Sequence, residues 1–308
     1  MHPFSSFRLL LVILGLVCIS QRTNAQDSLL LSDSFRSPTI SITADAIFLS
    51  HSGSSFRSEI LEPGSGSVTV SQDLEHGFPV APRVRAEVQL LDSFYVEGVY
   101  FGTSDWNSNA QLQNVPPLPD LSADIAYSAE MQNIELNCRR ATSFFDISWL
   151  VGVRYLNYQD SFLENYRLTS AFSPVITETA SGAADNVLLG PQIGLLQDIG
   201  LGRTQISLGG KLGFMNNRVD QFGPAYTSAI TIDGNPETVF VNENDDFALL
   251  GELSATLSRH VTPNLSFRSG YQGIFMDSVV QSATQNGSLA SPGTLWVHGL
   301  LFGVELRH

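Results

Sequence analysis

Arg83, Arg85, Glu87 and Gln89 stand two residues apart within the stretch Val80–Phe101, and Glu97 follows in the same stretch. Side chains of an extended chain alternate sides, so this spacing puts four polar groups on one face and Val84, Ala86, Val88 and Leu90 on the other. Further charges fall on the polar faces of later segments: Glu130, Asp146, Arg154, Lys211, Glu252, Arg268, Glu305 and Arg307. Turned toward a common interior, these groups could do one of two things. They could line a polar path that sorts solutes or ions by charge, or pair with one another, because an isolated buried charge is costly. The central set Arg83, Arg85, Glu87, Arg154 and Arg268 is the candidate constriction.

Other chemistry is weakly signalled. The run Val241–Asp246, VNENDD, offers oxygen ligands to a hard cation. It lacks the glycine and spaced glutamate of a calcium-binding loop, reads as solvated surface, and no metal site is assigned. Asp73 with His76 is the nearest local acid–histidine pair; His51, His260 and His298 are scattered, and Ser32 and Ser291 lack an elbow-like setting. No phosphate-cradling glycine loop, spaced cysteine set or haem motif is present. Neither an enzyme nor a cofactor is expected.

The elements that must position the charges are strands. Alternation predicts ten: Thr39–Ser50, Arg83–Leu90, Phe94–Phe101, Ile125–Cys138, Ser143–Asn157, Val187–Asp198, Arg203–Met215, Asp246–Ser258, Asn264–Met276 and Leu295–Arg307. A change of parity between Tyr127/Ala129/Met131 and Ile134/Leu136/Cys138 predicts a bulge near Gln132-Asn133. Short turns at Asp92-Ser93, Arg139–Thr142, Ile199–Gly202 and Arg259–Pro263 alternate with five long polar excursions, His51–Pro79, Gly102–Asp124, Tyr158–Asn186, Asn216–Asp245 and Asp277–Thr294. The first excursion holds a possible short strand at Ser67–Ser71.

Hydrophobic residues make up 43% of the 308-residue chain and charged residues 15%. After residue 25 the apolar residues come at every second position instead of in blocks, so no spanning helix is expected. The pattern fits a single closed antiparallel transmembrane β-barrel, all-β, of about ten strands (twelve if an excursion contributes), with short periplasmic turns and long extracellular loops. Lipid admits no open sheet edge, so the last strand must close on the first. Tyr100, Phe101, Tyr155, Tyr158, Phe162, Phe214 and Phe275 fall near the loop ends and are expected to form an outer aromatic girdle.

The start, with Arg8, an apolar run Leu9–Ile19 and Thr23-Asn24-Ala25, has the form of a secretory signal peptide. The expected organisation is a leader at 1–25, a lead-in at 26–38 and a barrel domain at 39–308. Loss of Arg8 and Arg22 leaves 14 basic against 30 acidic residues, a net charge of −16, with Lys211 the one lysine. Such a chain is ill suited to nucleic acid. Cys138 is then alone, which excludes an internal disulfide framework.

The stretches WLVGVRYLNYQDSF (Trp149–Phe162), NVLLGPQIGL (Asn186–Leu195), LSFRSGYQGIFMDSV (Leu265–Val279) and WVHGLLFGVEL (Trp296–Leu306) resemble the putative beta-barrel porin family 7, outer-membrane proteins abundant in planctomycetes. The resemblance spans most of the chain from Thr39 onward. It implies a secreted precursor, insertion by the barrel assembly machinery, a bacterial outer-membrane location and contact with outer-membrane lipid. Two functions follow as expectations: a porin-like passive channel for small solutes or ions, or a closed barrel serving as envelope structure or as a scaffold for its outer loops.

Overall fold

A computed structural model describes residues 40–52, 55–62, 66–73, 78–91, 93–115, 118–142, 147–170, 173–228, 241–282 and 292–308. The expected leader, Asp146 and His76 lie outside the described residues. The strands are β1 (Ile40–Ser52), β2 (Ser55–Glu62), β3 (Gly66–Asp73), β4 (Val80–Leu91), β5 (Phe94–Val115), β6 (Leu118–Ala141), β7 (Ile147–Ser170), β8 (Ser173–Leu201), β9 (Thr204–Ser228), β10 (Val241–His260), β11 (Leu265–Val279) and β12 (Gly293–Arg307).

Ten of them form a closed antiparallel barrel in the order β1-β12-β11-β10-β9-β8-β7-β6-β5-β4, and β2 pairs with β3 as a separate hairpin. The ring closes where β1 pairs with β12, from Ser41↔Arg307 to Ser52↔Trp296. Reciprocal backbone bonds between Ile40 and His308, at 3.0 and 2.9 Å, fasten the closure. Every backbone group along the seam thereby finds a partner, as a hydrocarbon environment requires.

The alternating faces sort as the residue pattern predicts through the lower half of the barrel. Leu195, Leu253, Phe267 and Phe302 point outward, all more than half exposed on the isolated chain, while Arg154 and Gln192 are buried within. Apolar atoms on the outside and ion pairs on the inside are the reverse of a water-soluble sandwich, and are stable only with lipid around the belt.

Four expectations are corrected. Three of the long excursions are largely strand: β5 to β10 run 20 to 29 residues. A 24-residue strand is about 80 Å long at ~3.3 Å per residue, well beyond the ~9–11 residues that cross a bilayer. The walls therefore continue above the membrane. There the outside is water, so the alternation keeps its period but inverts its chemistry, with polar residues out and apolar residues in.

That inversion explains the next two corrections. On β6, Tyr127, Ala129 and Met131 and then Asn133, Glu135 and Asn137 are all buried on one unbroken parity. No bulge occurs at Gln132-Asn133; the irregularity lies on β5, between Ser104 and Trp106, opposite Glu130 and Ala129. Glu130 correspondingly faces outward, beside Gln159 and Asp185 on a polar groove of about 380 Å³, and does not join the interior charges. Finally, the aromatic girdle is smaller than expected. Tyr100, Tyr155, Phe214 and Phe275 face out, whereas Phe101, Tyr158 and Phe162 are buried in the interior.

Candidate functional site

The interior has two tiers. The lower, toward the short turns, is charged. Its centre is Arg154 of β7, wholly buried, whose Nη1 lies 2.7 Å from Glu252 Oε2 on β10. Arg154 Nε donates to Asn133 Oδ1 at 2.5 Å. Lys211 of β9 completes the group, 2.7 Å from Glu135 and 3.2 Å from Glu252. Gln192 donates to Glu135 and Asn137, and Asn137 donates to Glu97 and Glu135. Six strands, β5 to β10, thus meet through side chains in the interior.

Nearer the turns, Arg85 pairs with Glu87 and Glu97, both at 2.7 Å. Arg139 pairs with Glu87 at 2.8 Å and lies 4.4 Å over the Tyr95 ring. Glu305 pairs with Arg307 and accepts from Ser41. Arg83 donates to Gln272 across the barrel at 2.9 Å, and Arg268 donates to Thr43 at 2.9 Å. Asp45 is in register with Arg83 on β4 and with Gly303 on β12, which is in turn in register with Arg268. The glycine is required here, because a Cβ at 303 would overlap the Asp45 carboxylate.

Of the twelve sites expected from sequence, ten face this interior, Glu130 faces out, and Asp146 is outside the described residues. The expected set left out Asp45, Glu135, Arg139 and Asp198; Asp45 and Glu135 alternate with apolar neighbours and were open to the same parity argument, whereas Arg139 falls in an expected turn. With them included, among the described residues seven basic side chains (Arg83, Arg85, Arg139, Arg154, Lys211, Arg268, Arg307) face seven acidic ones (Asp45, Glu87, Glu97, Glu135, Asp198, Glu252, Glu305). The described charges of the tier thus balance although the chain is strongly acidic. A cavity of about 80 Å³, lined in part by Arg85, Arg139, Arg268 and Glu305, remains near the turns. That is room for a few waters.

The upper tier is apolar. Ile47, Leu49, Trp106, Met131, Leu156, Leu188, Met215, Leu250, Ile274, Met276 and Leu301 belong to one buried cluster. Trp106 Nε1 donates to the Leu49 carbonyl at 3.4 Å, so its polar end is not stranded. Above it sits a small polar group: Tyr127 donates to Asp160 at 3.1 Å, and the Tyr127 and Tyr158 hydroxyls are 3.0 Å apart. Burial pushes the Asp160 carboxyl up to about 7. At this level the outward residues are Ser128, Asn157, Gln159, Ser161 and Asp185, with Ser128 and Ser161 hydrogen-bonded to each other. Asp160 thus lies above the lipid belt. By contrast, a groove of about 740 Å³ lies on the lipid-facing wall, lined by Trp149, Ile193, Leu195, Leu253 and Trp296.

A family model described as Putative beta barrel porin-7 (BBP7) matches residues 98–308. No curated protein matches the chain in sequence. Among solved structures, the outer membrane protease OmpT from Escherichia coli is similar with a TM-score of 0.55 at 11% identity, covering 88% of this chain and 97% of that one. At that identity the likeness is one of fold. Neisserial surface protein A (NspA) gives 0.31 at 12% identity, covering 87% and 96%. The translocator domain of the autotransporter NalP from Neisseria meningitidis gives 0.35 at 8%, covering 98% and 96%.

Proposed function

The chain belongs to the putative beta barrel porin-7 family of outer-membrane barrels, and from that premise we propose that its lumen is sealed, so that it serves the bacterial envelope as a non-conducting barrel whose tall walls form a scaffold outside the cell. The observation that carries this reading is the transverse ion-pair group. Arg154, wholly buried, spans from β7 to Glu252 on β10 with Lys211 and Glu135 closing the other diagonal. A passive channel needs a continuous wet path, and here Arg154, Lys211, Glu135 and Glu252 pair with one another instead of facing water. The balance of seven against seven supports the same reading, since an ion-sorting constriction works through an excess of one sign. The apolar tier above would be a second barrier, because its tightly buried side chains leave few hydrogen-bonding partners for water or ions. Outer-membrane lipid against the apolar belt, and the barrel assembly machinery during insertion, are the partners of this reading; it assigns no catalytic role.

Proteoliposomes test it. Vesicles carrying folded, heat-modifiable protein are diluted into isotonic solutions of small sugars and of salt. The expected swelling rate equals that of protein-free vesicles. Swelling that falls with increasing solute size would establish a channel and overturn the proposal.

A further inference from the structure

The connection after β11 turns inward. Ser278 has a φ of 59°, in the left-handed region that side chains seldom adopt. Beyond it the chain runs inside the wall and is read through its backbone by three successive strands. Asn217 of β9 donates to the Ser278 carbonyl at 2.9 Å. Asn186 of β8 donates to the Val280 carbonyl at 2.8 Å and accepts from the Val280 N–H at 2.9 Å. Asp160 of β7 accepts from the Ser282 N–H with both oxygens, at 2.9 and 3.1 Å. The contacts fall on every second residue, the repeat of an extended chain. Val279 joins the large apolar cluster, and Val280 packs with Ala184 and Val219. Val279 and Ser282 are fully buried.

Three features distinguish this segment from the walls around it. Past Val279, the last residue of β11, which still pairs with Gly293 of β12, it is held by side-chain-to-backbone bonds and not by a ladder. Its entry residue has an unfavourable backbone angle, which docking must hold in place. And it lies over the apolar tier at the level where the outer wall turns polar. Elements of that kind open locally at lower cost than the sheet they rest on. We infer that Ser278–Ser282 is a self-docked strap: the β7–β9 wall grips its backbone and closes the apolar tier with it, and the strap can leave as a unit while the barrel stays folded. The inference rests on the sealed-lumen reading, in which the strap is a removable part of the seal.

The test uses the full-length protein with Cys18→Ser and Cys138→Ser and a single cysteine at Val280→Cys, reacted with a bilayer-impermeant maleimide added from outside. With the three latches intact, labelling is slow. Adding Asn186→Ala and Asn217→Ala is expected to speed it at least tenfold. Leu150→Cys, in the interior below the strap, should keep its slow rate in the same background. Equal rates at position 280 with and without the latches would overturn the strap, as would parallel acceleration at position 150, which signals general loosening. Hydrogen exchange on the unmutated protein gives a second reading: the Val280 and Ser282 amides should exchange at least tenfold faster than that of Leu188 on β8, and equal protection would contradict the inference. Vesicle swelling of the parent protein reports separately on the sealed lumen, so failure of that reading is distinguishable from failure of the strap.

Discussion

Arg154 and Glu252 meet at 2.7 Å across the barrel interior, although they are 98 residues apart and their strands β7 and β10 are not neighbours in the sheet. The contact exists only because the ring is closed and narrow. It converts two strand faces that sequence shows separately into one transverse barrier.

Removing one member should therefore cost more than removing a surface charge. Arg154→Ala leaves Lys211 to neutralise both Glu135 and Glu252 in a buried setting. The expected loss is about 3–5 kcal/mol, the usual cost of stranding a buried charge. Adding Glu252→Gln should recover part of it. Urea titration followed by the folded-to-unfolded gel shift measures both. Additive losses in the single and double variants would show that the pair is not coupled.

The Asp160 latch should depend on pH. Its carboxyl titrates near 7 in the folded protein because burial disfavours the anion, against ~3.9 in an unfolded chain. A raised folded value means that the folded barrel holds the proton more tightly than the unfolded chain. Its contribution to stability is full below the unfolded value and is lost as pH rises through about 7. The ionisable groups touching it, Tyr127 and Tyr158, are both pushed upward by burial and stay protonated over this range. The unfolding free energy from urea titration should thus fall between pH ~4 and ~7, by at most about 1.4 kcal/mol per pH unit, and level off above. Asp160→Asn should flatten the profile. A profile in the natural protein that stays flat, or rises, would contradict the assignment.

The lipid boundary can be mapped by charge. Leu253 lies in the outward belt, and Phe222 faces outward on the part of β9 where Asn216, Arg218 and Asp220 are its outward neighbours. Leu253→Arg should cost roughly 2–4 kcal/mol, as for a cation near the bilayer midplane, and Phe222→Arg close to nothing. Equal costs would place the membrane elsewhere on the wall.

Much of the fold is legible in the residue order, for a definite reason. Period two survives any register, so Arg83/Val84 or Leu253/Glu252 declare their faces without knowledge of their partners. Ten barrel strands and closure of the last on the first follow from that. The parts that are not legible depend on where the membrane ends. Met131 and Asn133 share one face, but a reader who expects lipid along the whole strand must invert one of them, and the false bulge and the misplaced Glu130 both follow. The same assumption hides the long walls, since polar outward residues above the bilayer look like loop. The interior partnerships are hidden differently. Glu135 was open to the parity argument, yet nothing in the order of residues says that it meets Lys211 or that Asn186 reads the backbone of Val280. Those contacts are set by the stagger of strands around a closed ring.

The sealed interior is tested most directly by current through single barrels in a planar bilayer, recorded at both polarities. The wild-type protein, shown to be inserted by its protease-resistant walls, should give a flat baseline at both polarities. Steady wild-type openings of reproducible size, altered in ion preference by Arg83→Gln or Arg85→Gln, would contradict the account and make the same charges the lining of a pore.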